Sequence, residues 1–252
     1  MRCVEAEGHD AVSLDEDLLA PSLPDLAALQ ATHCIHAAWY TNHADYLTHD
    51  FNREWVPASL HLARAFPGRF VGLGTCLEYD VASAEGACVE NRTPLRPDTL
   101  YARCKLDLFN ALDRGGGDFA WARVFFVYGP GDRAGRLIPN MIERFSRGEK
   151  AGPTYGGLRR DYIHVDDLAE QLVRIALSDV QGAINTGTEK APSLSEIYAV
   201  GAAVFGRPEL ALGNCETGGQ PPLIQADLMR FRAYVGDPQA RDIATGLRDL
   251  VG

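Results

Sequence analysis

Short apolar runs of strand length alternate along this chain with stretches whose apolar residues recur at helical spacing, the sequence form of an α/β protein with a parallel sheet. Residues 11–14 and 33–38 read as strands, and 51–66 as a helix with Trp55, Leu62 and Ala65 on its apolar side and Pro67 and Gly68 as its stop. Residues 70–75 form the next predicted strand. A polar loop over 80–97 leads into a helix carrying Tyr101 and Lys105, with Asp98 or Thr99 as N-cap and the glycines at 115–117 as its end. Residues 119–128 are apolar without alternation, which predicts one strand inside a covered sheet, turned out by Gly129, Pro130 and Gly131. Helices are then predicted over 137–147 and 166–178, with a short extended segment at 160–164 between them and a strand at 183–185. Ser193 and Glu196 form a capping box that opens a helix ending at Gly206, just before Pro208. A last helix is predicted over 243–250. No repeat, low-complexity tract or linker divides the chain, so 1–252 reads as one domain.

With 252 residues and 46% hydrophobic content, the chain can bury a substantial core. A net charge of -10 disfavours nucleic-acid or anionic-membrane binding, because phosphate surfaces need an excess of Lys and Arg. Cys3, Cys34, Cys76, Cys88, Cys104 and Cys215 show no C-x-x-C spacing, and a chain this long needs no disulfide staples. Reduced thiols and a cytoplasmic location are therefore expected. No apolar run approaches the roughly 20 residues of a membrane span, and the polar opening is unlike a signal peptide.

Tyr101 and Lys105 stand four residues apart, so on a helix both leave one face and can meet over a single substrate atom. A free phenol has a pKa near ~10, and an adjacent ammonium favours the phenolate, which would make Tyr101 a general base or acid near neutrality. Thr75, at the end of a strand, can offer a hydroxyl to the reacting oxygen. This is redox chemistry at an alcohol or carbonyl. His33 and His36 have a spacing that metal pairs also use, but on a strand they point to opposite faces or pack, and no acidic partners follow at ligand spacing; no metal is expected.

Taken together, six features resemble the extended short-chain dehydrogenase/reductase family of nucleotide-sugar epimerases, dehydratases and ketoreductases. They are His36-Ala-Ala38, Asn52, Gly74-Thr75 with Tyr79, Tyr101-x-x-x-Lys105, Arg123 with Val127-Tyr-Gly-Pro-Gly131, and Arg160-Asp-Tyr-Ile-His-Val-Asp-Asp167. The resemblance runs from about Glu7 to the C-terminus. It implies a doubly wound, Rossmann-like parallel sheet with a small C-terminal substrate lobe, contributed mainly by 132–165 and 187–252. It also implies NAD or NADP as cofactor and a nucleotide sugar as substrate. Carried over position by position, Thr75, Tyr101 and Lys105 match the catalytic Ser/Thr, Tyr and Lys. Tyr101 would exchange a proton with the sugar oxygen as hydride moves, and Lys105 would lower the Tyr pKa and bind the nicotinamide ribose. Ala37, Ala38 and Asn52 match positions that line the cofactor or brace its pocket. Arg160 matches a residue that grips the sugar diphosphate, with a surface ion pair to Asp161 or Asp166 as the alternative. Asn140 lies where family members cover the nucleotide. Asp15, at the end of the predicted second strand, favours NAD over NADP. The helices at 51–66 and around Tyr101 resemble the pair through which members form homodimers.

Two departures modify this picture. The 4,6-dehydratases carry an Asp-Glu pair directly after the catalytic Thr, where this chain has Cys76 and Leu77; Glu78 comes one position late, in a solvated or capping role. That leaves 4-epimerisation or 4-ketoreduction. The family also opens with a strand and G-x-x-G-x-x-G, whose glycines admit the pyrophosphate to a helix N-terminus, and this chain has none. The absent strand is central in the doubly wound order, between those predicted at 11–14 and 33–38. A start assigned too late, a cofactor-poor descendant, or a strand supplied by another chain would each account for it. The alternative to an enzyme is a catalytically silent nucleotide-sugar-binding or interaction protein.

Overall fold

The structure, a computed structural model, describes residues 1–20 and 22–252. After a short helix α1 (Arg2–Ala6), the chain runs to strand β1 (His33–His36), helix α2 (Asn52–Ala65), strand β2 (Arg69–Thr75), helix α3 (Leu100–Gly115) and strand β3 (Phe119–Val124). Strand β4 (Phe126–Tyr128), helix α4 (Leu137–Ser146), strands β5 (Arg159–Arg160) and β6 (Tyr162–His164), helix α5 (Val165–Ala176) and strand β7 (Gly182–Thr186) follow. Helix α6 (Leu194–Val204), strand β8 (Leu223–Ile224) and helices α7 (Met229–Tyr234) and α8 (Ile243–Val251) complete it.

Four strands form one parallel sheet in the order β1-β2-β3-β7. Parallel sheets bury both faces, which is why β2 and β3 are mostly apolar without alternating, with Arg69, Thr75 and Arg123 as their polar members. On one face, α2 and α3 bury Leu62, Leu108 and Leu112 against Phe70, Phe119 and Trp121. On the other, α5 lays Leu168, Leu172 and Ile175 over Val71, Ala120, Ala122 and Ile184. A third core joins α4, α6 and α8 around Met141, Phe145, Ile197 and Leu247, with Tyr128 at its border. Within β2, Gly72 and Gly74 leave room for the Trp121 indole: a Cβ would lie 2.5 Å and 2.2 Å from that ring, respectively.

The two ends of the sheet differ. Along β7, the outer side is covered, with the Asn185 amide donating to Glu90 and its side chain to the carbonyls of Cys88 and Asp227. Along β1, no backbone group makes an outward hydrogen bond among the described residues. The predicted strand at 11–14 is not formed; the segment is irregular and Val12 is exposed. A strand exists through its ladder, and no described strand lies between this segment and β1 to pair with it. The predicted strand 119–128 breaks at Phe125 and the segment 160–164 at Asp161, so that β4 pairs with β6 and β5 with β8 in two small separate sheets.

Candidate active site

Tyr101 and Lys105 sit on the first turns of α3, whose N-terminus is capped by the Thr99 hydroxyl accepting from the Ala102 amide at 3.2 Å. Thr75 ends β2, and its hydroxyl accepts from the Leu77 amide at 3.3 Å, capping the 3-10 turn Cys76–Glu78. The three side chains converge. Thr75 stands close enough to the Tyr101 phenol to counter part of the rise in its pKa, and the Lys105 Nζ lies 5.9 Å from the Tyr101 ring centre.

The electrostatics run against the sequence expectation. Burial pushes the Tyr101 phenol above its ordinary range, Tyr46, Glu78 and Cys76 add to the rise, and Thr75 opposes it. Burial pushes Lys105 itself down to about 7, partly opposed by Glu78. A buried pair with little solvation favours both neutral forms, phenol and amine, over the ion pair predicted from spacing.

The Lys105 amine donates to the Leu73 carbonyl at 2.8 Å and lies 3.7 Å from the centre of the Trp39 ring. Trp39 is buried, and its indole N–H donates to Asn52 Oδ1 at 2.8 Å. Asn52 in turn donates to the carbonyls of Tyr46 and His49, at 2.7 and 2.8 Å, so its amide is fully engaged in bracing the 39–52 segment. The Tyr101 ring is flanked edge-on by Tyr46 at 5.2 Å and Trp39 at 6.5 Å. Ala37 and Ala38, directly after β1, are exposed. The sequence signal for Trp39 and Tyr46 was present as aromatic residues just beyond His36-Ala-Ala38, but nothing in their spacing pointed to the Tyr101 ring.

Behind this cluster lies a buried polar network that sequence reading missed. Glu78 is not solvated; it caps the turn by accepting from the Thr75 amide at 2.9 Å, takes the Trp121 indole N–H, and pairs with Arg123 at 2.7 Å. Arg123 donates onward to the Tyr79 hydroxyl at 3.2 Å, and Tyr79 donates to Asn185 at 2.7 Å. With Glu78 committed there, and Cys76 and Leu77 in the positions after Thr75, no carboxylate beside Thr75 is left to move a second proton.

The remaining predicted residues are scattered. Arg160 is neither exposed nor ion-paired: its Nη1 donates to the carbonyls of Arg159, Pro221 and Pro222, at 2.8, 3.0 and 3.5 Å, tying β5 to the segment before β8. Its neighbour Asp161 instead accepts from Thr188, Glu189 and Ala226, and burial raises its carboxyl to about 6. Asn140 lies half-buried on α4. Asp15 accepts from the Ser13 hydroxyl in an exposed segment, not at a strand end. His36 bonds Ser59 at 2.8 Å in the core, while His33 is exposed beside Thr32.

These residues fit a nicotinamide dinucleotide incompletely. Tyr101, Lys105 and Thr75 stand together, yet Trp39 covers the amine that would meet a ribose, and the segment before β1 forms no glycine cradle among the described residues. Neither of two surface cavities, ≈ 760 Å³ beside Arg64 and Asp118 and ≈ 380 Å³ beside Glu90 and Arg230, is lined by the three residues. No described helix is long and apolar enough to cross a membrane.

The sequence matches the NAD dependent epimerase/dehydratase family over residues 13–187. A dTDP-4-dehydro-6-deoxy-D-allose reductase of Streptomyces bikiniensis is 31% identical over 129 residues, 49% of this chain and 39% of that protein. A CDP-abequose synthase of Salmonella muenchen is 28% identical over 81 residues, 31% of this chain and 28% of the relative. The chain thus matches well under half the length of either. Among solved structures, an NAD-dependent NDP-hexosamine 5,6-dehydratase of tunicamycin biosynthesis has a TM-score of 0.80 at 19% identity, covering 99% of this chain and 91% of that one. A UDP-N-acetylglucosamine 4-epimerase from Methanobrevibacter ruminantium also reaches 0.80, at 20% identity over 94% and 81% of the two chains. At these identities the likeness is one of fold.

Proposed function

This chain belongs to the NAD-dependent epimerase/dehydratase family, and on that footing we propose that it carries the acid–base apparatus of an NAD(P)-dependent enzyme acting on a nucleotide-activated sugar. The favoured reaction is reduction of a 4-keto group, with 4-epimerisation as the close variant. The observation that carries this reading is a phenol held protonated beside a threonine hydroxyl. Tyr101 then enters the reaction as a proton donor to a carbonyl oxygen, and the Thr75 O–H holds that oxygen while its lone pair is engaged by the Leu77 amide. Hydride is the part that the family's nicotinamide supplies; proton delivery and alignment fall to Tyr101, Thr75 and Lys105. The lack of a free carboxylate after Thr75 supports reduction or epimerisation over 4,6-dehydration, and the reductase named among the relatives supports the same choice. Arg160 and Asn140 are proposed on the substrate side, and Asn52 as a brace for the cofactor side. A cytoplasmic location and a homodimer through α2 and α3 belong to the same reading; light scattering of the purified chain tests the dimer.

A second reading, a nucleotide-sugar-binding protein without catalysis, draws support from the covered Lys105 amine. Titration with NAD(H) and NADP(H), followed by turnover of dTDP- and UDP-4-keto sugars, separates the two. On the first reading, Tyr101→Phe lowers turnover by ~10²–10⁴ while leaving dinucleotide affinity intact. Sugar-nucleotide binding with no dinucleotide uptake favours the second.

A further inference from the structure

Trp39 stands where nothing in the chemistry of Tyr101 and Lys105 requires an indole. Its ring closes over the Lys105 amine at 3.7 Å, and Lys105 is 4% exposed. The ring is held on three sides: Trp55 lies 6.0 Å away, the Tyr101 ring 6.5 Å, and the indole N–H bonds Asn52 at 2.8 Å. The fourth side is different. Trp39 follows β1 through Ala37 and Ala38, both exposed and neither with a side chain large enough to resist a swing. The segment beyond is anchored by the Tyr101 amide donating to the Leu47 carbonyl at 3.1 Å and by the two Asn52 bonds to Tyr46 and His49. One side-chain hydrogen bond, to Asn52, and ring packing on Trp55 and Tyr101 therefore hold the indole between a two-alanine hinge and a fixed loop.

We propose that Trp39 is a displaceable cover on Lys105, which a nicotinamide dinucleotide must push aside to bring its ribose to the amine. The dinucleotide part rests on the functional reading above. While the cover is closed, the binding-competent fraction of the protein is small, and apparent affinity falls in proportion to that fraction. Removing the ring converts the whole population to the open form. The device also accounts for the incomplete fit: Tyr101, Lys105 and Thr75 are assembled, and an indole covers the amine.

Lysine acylation tests the cover without any cofactor or turnover. The full chain contains three lysines, Lys105, Lys150 and Lys190, so the two remote ones serve as internal controls in the same sample. Trp39→Ala is expected to speed acetylation of Lys105 by acetic anhydride, read by peptide mass spectrometry, at least ~10-fold with Lys150 and Lys190 unchanged. Trp39→Leu, which keeps apolar packing and drops the ring, carries the same expectation if the alanine variant folds poorly. Lys105 rates equal to those of the parent protein in a folded variant overturn the proposal. Calorimetric titration with NAD+ and NADP+ forms the second arm, with affinity rising ~10-fold in the same variants. If Lys105 opens but dinucleotide affinity does not change from a measurable parental value, the gating role is overturned. If Lys105 opens and no form of the protein takes up a dinucleotide, the functional reading fails and the cover over the amine stands.

Discussion

Glu78→Gln is the sharpest test of how Thr75 is held. Glu78 and Arg123 have side chains 0% and 2% exposed, and their 2.7 Å contact is the centre of the network behind the site. The substitution keeps side-chain shape and removes the negative charge, leaving the guanidinium out of water with a neutral amide and the Tyr79 hydroxyl as partners. Removing one member of a buried ion pair costs about 3–5 kcal/mol. The new amide oxygen can still accept from the Thr75 amide or the Trp121 indole, so the low end, about 3 kcal/mol, is expected. In a chain of this size each kcal/mol lowers Tm by about 2–4 °C, giving a fall of about 6–12 °C by circular dichroism. A companion double variant, Glu78→Leu with Arg123→Met, leaves no buried charge; its cost is that of two orphaned donors, at Thr75 N and Trp121 Nε1, about 1–3 kcal/mol each. Since part of that is recovered by apolar packing, the double variant should be no less stable than the single one. A Tm for Glu78→Gln within ~2 °C of the parent, or a double variant clearly worse than the single, would refute the argument.

Three further outcomes follow from the geometry. Lys105 is lowered from 10.5 to about 7 in the folded protein, so between those values the unfolded chain binds the extra proton and stability rises with pH. Lys105→Met should therefore raise Tm near pH 7 and flatten its pH dependence up to pH 10, and an unchanged slope would exclude the assignment. Arg160→Ala should cost about 2 kcal/mol in urea unfolding with no nucleotide present, because the carbonyls of Arg159 and Pro221 lose the guanidinium donor, while that of Pro222 keeps the Arg159 amide; unaltered stability with lost sugar-nucleotide binding would make Arg160 a ligand residue instead. Asn52→Ala should cost about 2 kcal/mol and shift tryptophan emission to the red as Trp39 loses its partner, and an unshifted spectrum would contradict the bracing role.

Where burial and local chain geometry agree, the sequence was a sufficient guide. The helices around Leu62, Leu108, Leu172 and Ile197 follow from apolar spacing, and the caps at Thr99 and Ser193 from their side chains. It was insufficient wherever a partner distant in sequence decides the outcome. Residues 119–128 are apolar except for Arg123, and only the separate pairing of Phe126 with Tyr162 shows that the chain leaves one sheet for another at Phe125. Residues 11–14 have strand composition but no strand neighbour among the described residues. Tyr101 and Lys105 share one face of α3 as helical spacing predicts, whereas their protonation depends on burial and on Tyr46 and Glu78, which come from two other segments. Spacing positions functional groups; the water excluded around them sets their charge.

The bare margin of β1 gives the chain a concentration-dependent hazard. Those of its amides and carbonyls that do not pair with β2 make no other backbone hydrogen bond among the described residues, and no lysine, proline or bulge lies among the four residues to discourage company, a configuration that promotes edge-to-edge recruitment of an extended polypeptide. Handling this protein at high concentration should favour ribbon-like self-association seeded from that margin, and a short synthetic strand that docks there should act as a solubilising chaperone.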